Sequence, residues 1–217
     1  EDCRVLEACR EGKYTSVLVQ THDKKYVEYR TEHFVNALGS GAGKLCDSMG
    51  IDAGLYPVRH QAFITRRLPM LGKHGTNLDM LIDRQDYKGF SAVYGQQIAY
   101  TGQIIGCASP KLDAMRIDKN LKVNTKAFLE IVSEMFSEWI PDLAGVGIQA
   151  VWAGYYTEPR YIVDPELGLF VGMRGHGFML SQYIARMYVD KLLGRPVPGY
   201  FEKLKLNGPG LSEKAFK

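Results

Sequence analysis

The sequence predicts an α/β (α+β) fold: an antiparallel sheet with flanking helices, joined to a region built of strand–turn–helix units. Three observations carry this. Four strand-like runs follow one another between Leu55 and Ser109 with no helical stretch between them, and strands connected without helices pair antiparallel. One long helical period over residues 125–139 comes next. Two apolar runs, His33–Gly39 and Leu167–Met173, each lead into a glycine-rich turn that opens a helix.

The elements are justified in order. Tyr14–Thr21 alternates and is rich in β formers, His22-Asp23-Lys24 forms a turn, and Lys25–Arg30 alternates again, so the pair is a hairpin. The run His33–Gly39 reads as a short buried strand, and "SGAGKLCDSMG" as a glycine turn leading into a short helix. Leu55–Leu68, Met80–Gln85, Phe90–Gly102 and Gln103–Ser109 are the strands of the sheet. In the helix, Asn124 or Thr125 is the cap. Phe128, Leu129, Val132, Met135, Phe136 and Trp139 fall at helical spacing, and Pro141 stops it. Ile148–Tyr156 and Leu167–Met173 are the last strands. Phe178–Leu193 is the final helix, closed by Gly194 and Pro196. The Pro/Gly-rich tail from 196 to 217 is expected on the surface.

Bulk properties narrow the function. The chain has 217 residues, 46% of them hydrophobic, enough for one large domain or two small ones. Net charge is +3 with acids and bases interspersed, which makes no case for a nucleic-acid surface. No apolar run has the length of a transmembrane segment. The charged start, Glu1-Asp2-Cys3-Arg4, gives no secretory leader, so the expected compartment is the cytoplasm. It also lacks an initiating Met, as a fragment or a processed piece would. Cys3, Cys9, Cys46 and Cys107 match no metal spacing and read as reduced, mostly buried thiols. The five histidines are scattered, so no metal site is expected.

The glycine turns carry the chemistry. Gly39, Gly41 and Gly43 follow a strand and precede a helix, the layout of a phosphate-style crevice. They do not make a Walker loop, since Leu45 stands where Ser or Thr is needed, and they do not give G-x-G-x-x-G. In "GLFVGMRGHGFMLSQYIARMYVDKLLG" (168–194), Gly172, Gly175 and Gly177 bare the backbone beside a helix start. Such a start offers unpaired N–H groups and partial positive charge. Either a ligand approaches there, or the glycines only turn the chain.

The order of these motifs resembles a family. A hairpin leads to "VNALGSGAG", "PVRHQ" opens an antiparallel sheet, a helix ends in "WIPDL", and "VWAGYY" precedes "GLFVGMRGHGFMLS" and a final helix. This is similar to the C-terminal half of the D-amino-acid oxidase family of flavoproteins, with glycine oxidase, sarcosine oxidase and dye-linked proline dehydrogenases, over roughly Tyr14–Leu193. The resemblance implies the end of a Rossmann-like FAD-binding domain (1–54 and 150–195), an antiparallel substrate domain (55–149) and a C-terminal tail (196–217). It implies FAD held non-covalently. Some sarcosine oxidases attach flavin to a cysteine just before the equivalent of Tyr155, where this chain reads Ala153-Gly154. It implies oxidation of the CH–NH bond of an amino acid or secondary amine by hydride transfer. The alternatives are a flavin dehydrogenase of a 2-hydroxy acid, and a non-catalytic subunit or assembly factor. The N-terminal G-x-G-x-x-G of the family is absent here, so another chain supplies that half or this is a partial chain. The stretch Thr157–Glu166 departs from the relatives' spacing.

The resemblance also assigns residues. Ala37, Gly39 and Gly41 lie near the FAD. Met173, Arg174, Gly175, His176, Gly177, Phe178 and Met179 lie beside its ring, His176 through its backbone. Tyr156 contacts substrate, or packs as an aromatic at a strand end. Arg174 pairs with a carboxylate, or lies on the surface. Tyr156 and Arg174 are the catalytic candidates, and Tyr156, Arg59 and Tyr94 the substrate-binding ones. Arg59 and Gln61 orient loops or touch flavin. Tyr94 and Tyr100 line the cavity or face a helix. Asp164 and Glu166 are turn residues.

Overall fold

The computed structural model describes residues 2–72, 77–84, 90–110, 121 and 125–210. In chain order its elements are β1 (Arg4–Glu11), β2 (Tyr14–Gln20), β3 (Tyr26–Thr31), α1 (Ala42–Ser48), β4 (Tyr56–Thr65), β5 (Leu81–Asp83), β6 (Phe90–Gln97), β7 (Ile104–Pro110), α2 (Thr125–Trp139), β8 (Ile148–Glu158), β9 (Ile162–Asp164), β10 (Leu169–Val171) and α3 (Gly177–Leu192). The chain divides into two compact units, Glu1–Pro57 with Tyr156–Lys217, and Val58–Tyr155.

In the first unit, β1, β2 and β3 form an antiparallel meander. The expected hairpin is its second half. β1 was not legible as a strand, because seven of its eight residues keep some or full exposure and four of the eight are charged. One face of the meander, with Ala8, Val17 and Val19, packs on Leu45 of α1. Strand alternation turns Cys9 outward, between Ala8 and Arg10. Cys3 and Cys9 are exposed, and only Cys46 and Cys107 are buried, where burial pushes both thiols up in pKa.

β9 and β10 make an antiparallel ribbon buried on both faces. Ile162, Leu169 and Val171 pack with Ala42 and Cys46 of α1. Tyr161, Val163 and Phe170 pack with Ile184, Met187 and Tyr188 of α3. A strand buried on both faces reads as a continuous apolar run rather than an alternating one. The tail, expected on the surface, instead sends Phe201 and Leu204 into this second core through a 3₁₀ turn over Gly199–Leu204. Asp164 acts as a turn residue: its Oδ1 accepts from the N–H groups of Glu166 and Leu167.

The run His33–Gly39 is not a full strand. It makes one parallel bridge, Asn36 to Leu169. The Asn36 N–H donates to the Gly168 carbonyl at 2.7 Å, and the Phe170 N–H donates to the Asn36 carbonyl at 3.0 Å. The wholly buried Asn36 amide then donates from Nδ2 to the Ala42 carbonyl at 3.0 Å and to Cys46 Sγ at 3.5 Å, while Oδ1 accepts from the Leu38 N–H at 3.3 Å. That last bond takes the Leu38 donor away from any ladder and starts the turn.

The second unit is a five-stranded sheet, in order β5-β6-β7-β4-β8, with antiparallel pairing of β5 to β6, β6 to β7 and β7 to β4. The register puts Phe63 with Gly106, and Gln61 with Ala108 and Val93, on one face. That face meets Phe128, Ile131, Val132, Met135 and Phe136 of α2, so the predicted stripe is core packing. Phe63 lies edge-on to Phe136 with ring centroids 5.6 Å apart. Burying each such side chain contributes roughly 1.5–3 kcal/mol. The α2 bounds match the sequence period and the stop at Pro141. Of its two expected caps, Asn124 lies outside the described residues, as does Gln85 of the expected β5 run.

Replacing Asn36 with Leu leaves the buried Ala42 carbonyl without its side-chain partner and releases the Leu38 N–H, which lies in an exposed turn. At about 1–3 kcal/mol for an unsatisfied buried group, Asn36→Leu is expected to destabilise the protein by about 1–3 kcal/mol in urea unfolding. A loss within the scatter of a surface substitution would show that the amide does not hold this region.

Candidate functional site

The bridge between Asn36 and Leu169 is parallel. The two segments therefore leave it in the same direction, and both glycine turns come off one edge. In open sheets, the edge beyond the carboxyl ends of parallel strands is where ligands bind. The first turn carries Ala37, Leu38, Gly39 and Ser40, all exposed. A 3₁₀ turn over Gly39–Gly41 runs into α1, whose N-cap, Gly41, makes no side-chain bond. Gly39 sits at φ +54°, and a Cβ built on it would meet nothing within 4 Å. The space above this turn is open.

The second turn is held from below. Gly172 has φ +72°, and a Cβ there would collide with the Arg160 carbonyl. Only glycine fits that approach. Arg174, at φ +50°, takes the left-handed conformation despite its side chain. It opens a 3₁₀ turn over Arg174–His176, and α3 follows from Gly177. The N-cap of α3 is His176, with no side-chain hydrogen bond to the helix. Phe178 is 99% exposed and Met179 67%. The first N–H groups of a helix and its positive dipole end thus stand beside exposed apolar side chains.

Three consecutive turn residues are each fixed by the segment that ends β8 and begins β9. Arg174 Nε donates to Glu158 Oε2 at 2.5 Å, with both side chains largely buried. Gly175 lies against the Tyr156 ring, so that a Cβ would come within 2.8 Å of a ring carbon. His176 Nδ1 shares a 2.5 Å hydrogen bond with the Tyr161 hydroxyl. Tyr156, Arg174, Gly175 and His176 are therefore brought together, with Met173, Gly177, Phe178 and Met179 beside them in sequence. Glu158 and Tyr161 are additions that sequence reasoning missed. They lie in the stretch Thr157–Glu166, where the spacing departed from the relatives. The one available signal was a lone glutamate at the end of an apolar strand.

The remaining candidates lie in the second unit. Arg59 is half-buried on β4, two residues before the buried Gln61, whose face of the sheet carries Phe63 and the α2 core. Tyr94 pairs in register with Cys107, which pairs with Ala62, on the opposite face. The sheet therefore does not bring Tyr94 and Gln61 to one face. Tyr100 is not on the sheet: it stands in the turn after β6 and is 87% exposed. Among the described residues no cluster of three metal-ligating side chains occurs, and no helix is long and apolar enough to cross a membrane.

The family model for FAD dependent oxidoreductases named DAO matches residues 1–191. The chain belongs to this family. Among solved structures, the chain is similar to L-proline dehydrogenase from P. horikoshii, at 25% identity and TM-score 0.67, covering 94% of this chain and 53% of that one. It is similar in fold to glycine oxidase from Geobacillus kaustophilus, at 18% identity and TM-score 0.66, covering 94% and 52%. It is also similar in fold to iminodiacetate oxidase from Chelativorans sp. BNC1, at 14% identity and TM-score 0.67, covering 96% and 53%. No curated protein matches. This DAO-family chain thus spans about half the length of the solved structures it resembles.

The Arg174–Glu158 pair makes a prediction about the turn. Removing one partner of a buried pair leaves an uncompensated charge, at a cost of about 3–5 kcal/mol. Arg174→Ala is expected to destabilise the protein by roughly 3 kcal/mol. The double variant with Glu158→Gln should lose less than the sum of the two single losses. Additive losses in a double-mutant cycle would mean that the two side chains do not act as a pair.

Proposed function

We propose that this DAO-family chain is the C-terminal half of an FAD-dependent oxidoreductase that oxidises the CH–NH bond of an amino acid or secondary amine. The observation that carries the reading is the pair of glycine turns at one edge of a parallel bridge, the second opening an uncapped and exposed helix start. Its support on the substrate side is that the solved structures similar to it are, by name, a proline dehydrogenase, a glycine oxidase and an iminodiacetate oxidase.

FAD fits these residues. The open space over Gly39 admits a ligand against the backbone, and the α3 start offers main-chain donors to an electron-rich edge. In this reading Ala37, Gly39 and Gly41 hold the cofactor on one side, and Met173 to Met179 line its ring. When bound, FAD supplies the acceptor for the hydride taken from the substrate C–H. Ala153-Gly154 stand where some sarcosine oxidases carry the flavin-linked cysteine, so in this reading the cofactor is held non-covalently. None of these 217 residues forms G-x-G-x-x-G, so residues outside them, on the same polypeptide or on another chain, hold the pyrophosphate. The unit of Glu1–Pro57 with Tyr156–Lys217 is part of the FAD-binding domain, and Val58–Tyr155 is the substrate domain. Cys9, Cys46 and Cys107 are free thiols, which suits a reducing compartment, the cytoplasm.

Tyr156 is assigned to the substrate carboxylate; of the candidates of the second unit, Tyr94 is the substrate-side one, on the face away from α2, while Arg59 shares the strand face of Gln61 and Phe63. Arg174, whose guanidinium reaches Glu158, acts by holding the turn in place. Gly175 has a revised role as well: the ring that a side chain there would strike is Tyr156 of this chain.

The 217-residue chain alone is expected to bind FAD weakly, since it lacks the pyrophosphate loop. Sub-micromolar binding in a flavin-fluorescence titration would contradict the division of the cofactor site. In the complete enzyme, amino or imino acids are expected to bleach the flavin in stopped flow. Bleaching by 2-hydroxy acids alone would replace the substrate class, and bleaching by neither would leave a non-catalytic flavoprotein.

Tyr156→Phe in that enzyme should raise KM by about tenfold to a hundredfold with little change in kcat. The lost contact is a hydrogen bond to a charged group, made equally in ground and transition states, and worth about 1.5–3 kcal/mol. Unchanged kinetics would return Tyr156 to a packing role under Gly175.

A further inference from the structure

Tyr161 stands as a fixed post beneath the second glycine turn. Its ring is 6% exposed and packs with Val163, Ile184 and Met187 in the core under α3. The residue before it is pinned twice. The Arg160 guanidinium donates to the Gly208 carbonyl at 2.9 Å and to the Leu206 carbonyl, and the Arg160 carbonyl lies against Gly172 at the base of the turn. From this post the hydroxyl meets His176 Nδ1 at 2.5 Å, with ring centroids 6.1 Å apart. A phenol is the better hydrogen-bond donor of the two and an imidazole nitrogen the better acceptor. Tyr161 therefore donates, and the neutral His176 ring carries its proton on Nε2.

The consequence follows from where His176 sits. It ends the 3₁₀ turn and is the N-cap of α3. An N-cap side chain ordinarily folds over the helix start and accepts from its second or third N–H, which uses up a donor. The His176 side chain makes no such bond. With Nδ1 occupied by Tyr161 and Nε2 protonated, neither ring nitrogen is left to accept one. The first donors of α3 stay uncapped, beside the exposed Phe178 and Met179.

We propose, on the flavin reading above, that Tyr161 is a positioning residue of the cofactor site: it holds His176 off the α3 start, so that FAD meets that start as an uncapped set of main-chain donors. Donors and a positive dipole end favour negative charge, and reduction of a flavin adds negative charge to its ring. The Tyr161–His176 bond therefore favours reduced over oxidised FAD, whereas a bond that only stiffened the turn would favour both alike.

Two measurements test this. In the 217-residue chain, nitrogen NMR at a pH well above the histidine range is expected to show His176 with Nε2 protonated and Nδ1 as an acceptor, and Tyr161→Phe is expected to shift the Nδ1 signal. In the complete enzyme, the two-electron midpoint potential of bound FAD is measured against a reference dye. Tyr161→Phe frees Nδ1 to cap the helix, and His176→Asn places a strong capping side chain there. Each is expected to cut the preference for reduced flavin by about threefold to tenfold, a fall of about 15–30 mV for a two-electron couple. His176→Ala has nothing to cap with, so adding Tyr161→Phe to it should leave the potential of His176→Ala unchanged. The proposal is overturned if Nδ1 is protonated or unmoved by Tyr161→Phe, or if either Tyr161→Phe or His176→Asn leaves the potential unchanged. It is also overturned if Tyr161→Phe lowers the potential equally in the His176→Ala background. A wild-type complete enzyme that takes up no FAD would instead refute the flavin reading, and this proposal with it, before any variant is made.

Discussion

The buried amide of Asn36 sets the geometry on which the first unit depends. Its main chain ties residues 34–38 to β10 through Gly168 and Phe170, and its side chain ties the same point to Ala42 and Cys46 of α1. A hydrophobic residue here would keep the strand but lose the turn. With asparagine, Oδ1 captures the Leu38 N–H and ends the ladder after one bridge. The parallel sense of that bridge makes the two glycine turns leave by the same edge. Loss of the amide would therefore affect both turns, although it touches only the first.

The second turn shows how a site can be firm and still present its backbone. Left-handed Arg174 costs roughly 1–2 kcal/mol for a residue with a Cβ. Its pairing with Glu158 offsets that strain, since the side chain reaches the carboxylate from this conformation. Gly175 then rests on the Tyr156 ring and His176 on the Tyr161 hydroxyl. All three supports come from residues 156–161. The helix start beyond them has no side-chain cap and keeps its donors outward. Support from beneath and freedom above are consistent with a loop that presents main-chain groups to a ligand.

Much of the fold was legible in the sequence where burial falls on one face. The α2 stripe from Phe128 to Trp139 shows the helical period, and β2 and β3 show alternation around a turn. β1 was hidden because its charged residues mask the alternation, and β9 because three residues are too short to carry a period. The run at 33–39 misled for a different reason. It is apolar enough for a strand, but one side-chain hydrogen bond at Asn36 decides its length, and that partner cannot be read from local pattern. The site was legible at its glycines and not in what they face. Gly172 answers to the Arg160 carbonyl and Gly175 to the Tyr156 ring, and both are contacts between segments distant from the turn. The Arg174–Glu158 pair was missed because sixteen residues separate its partners.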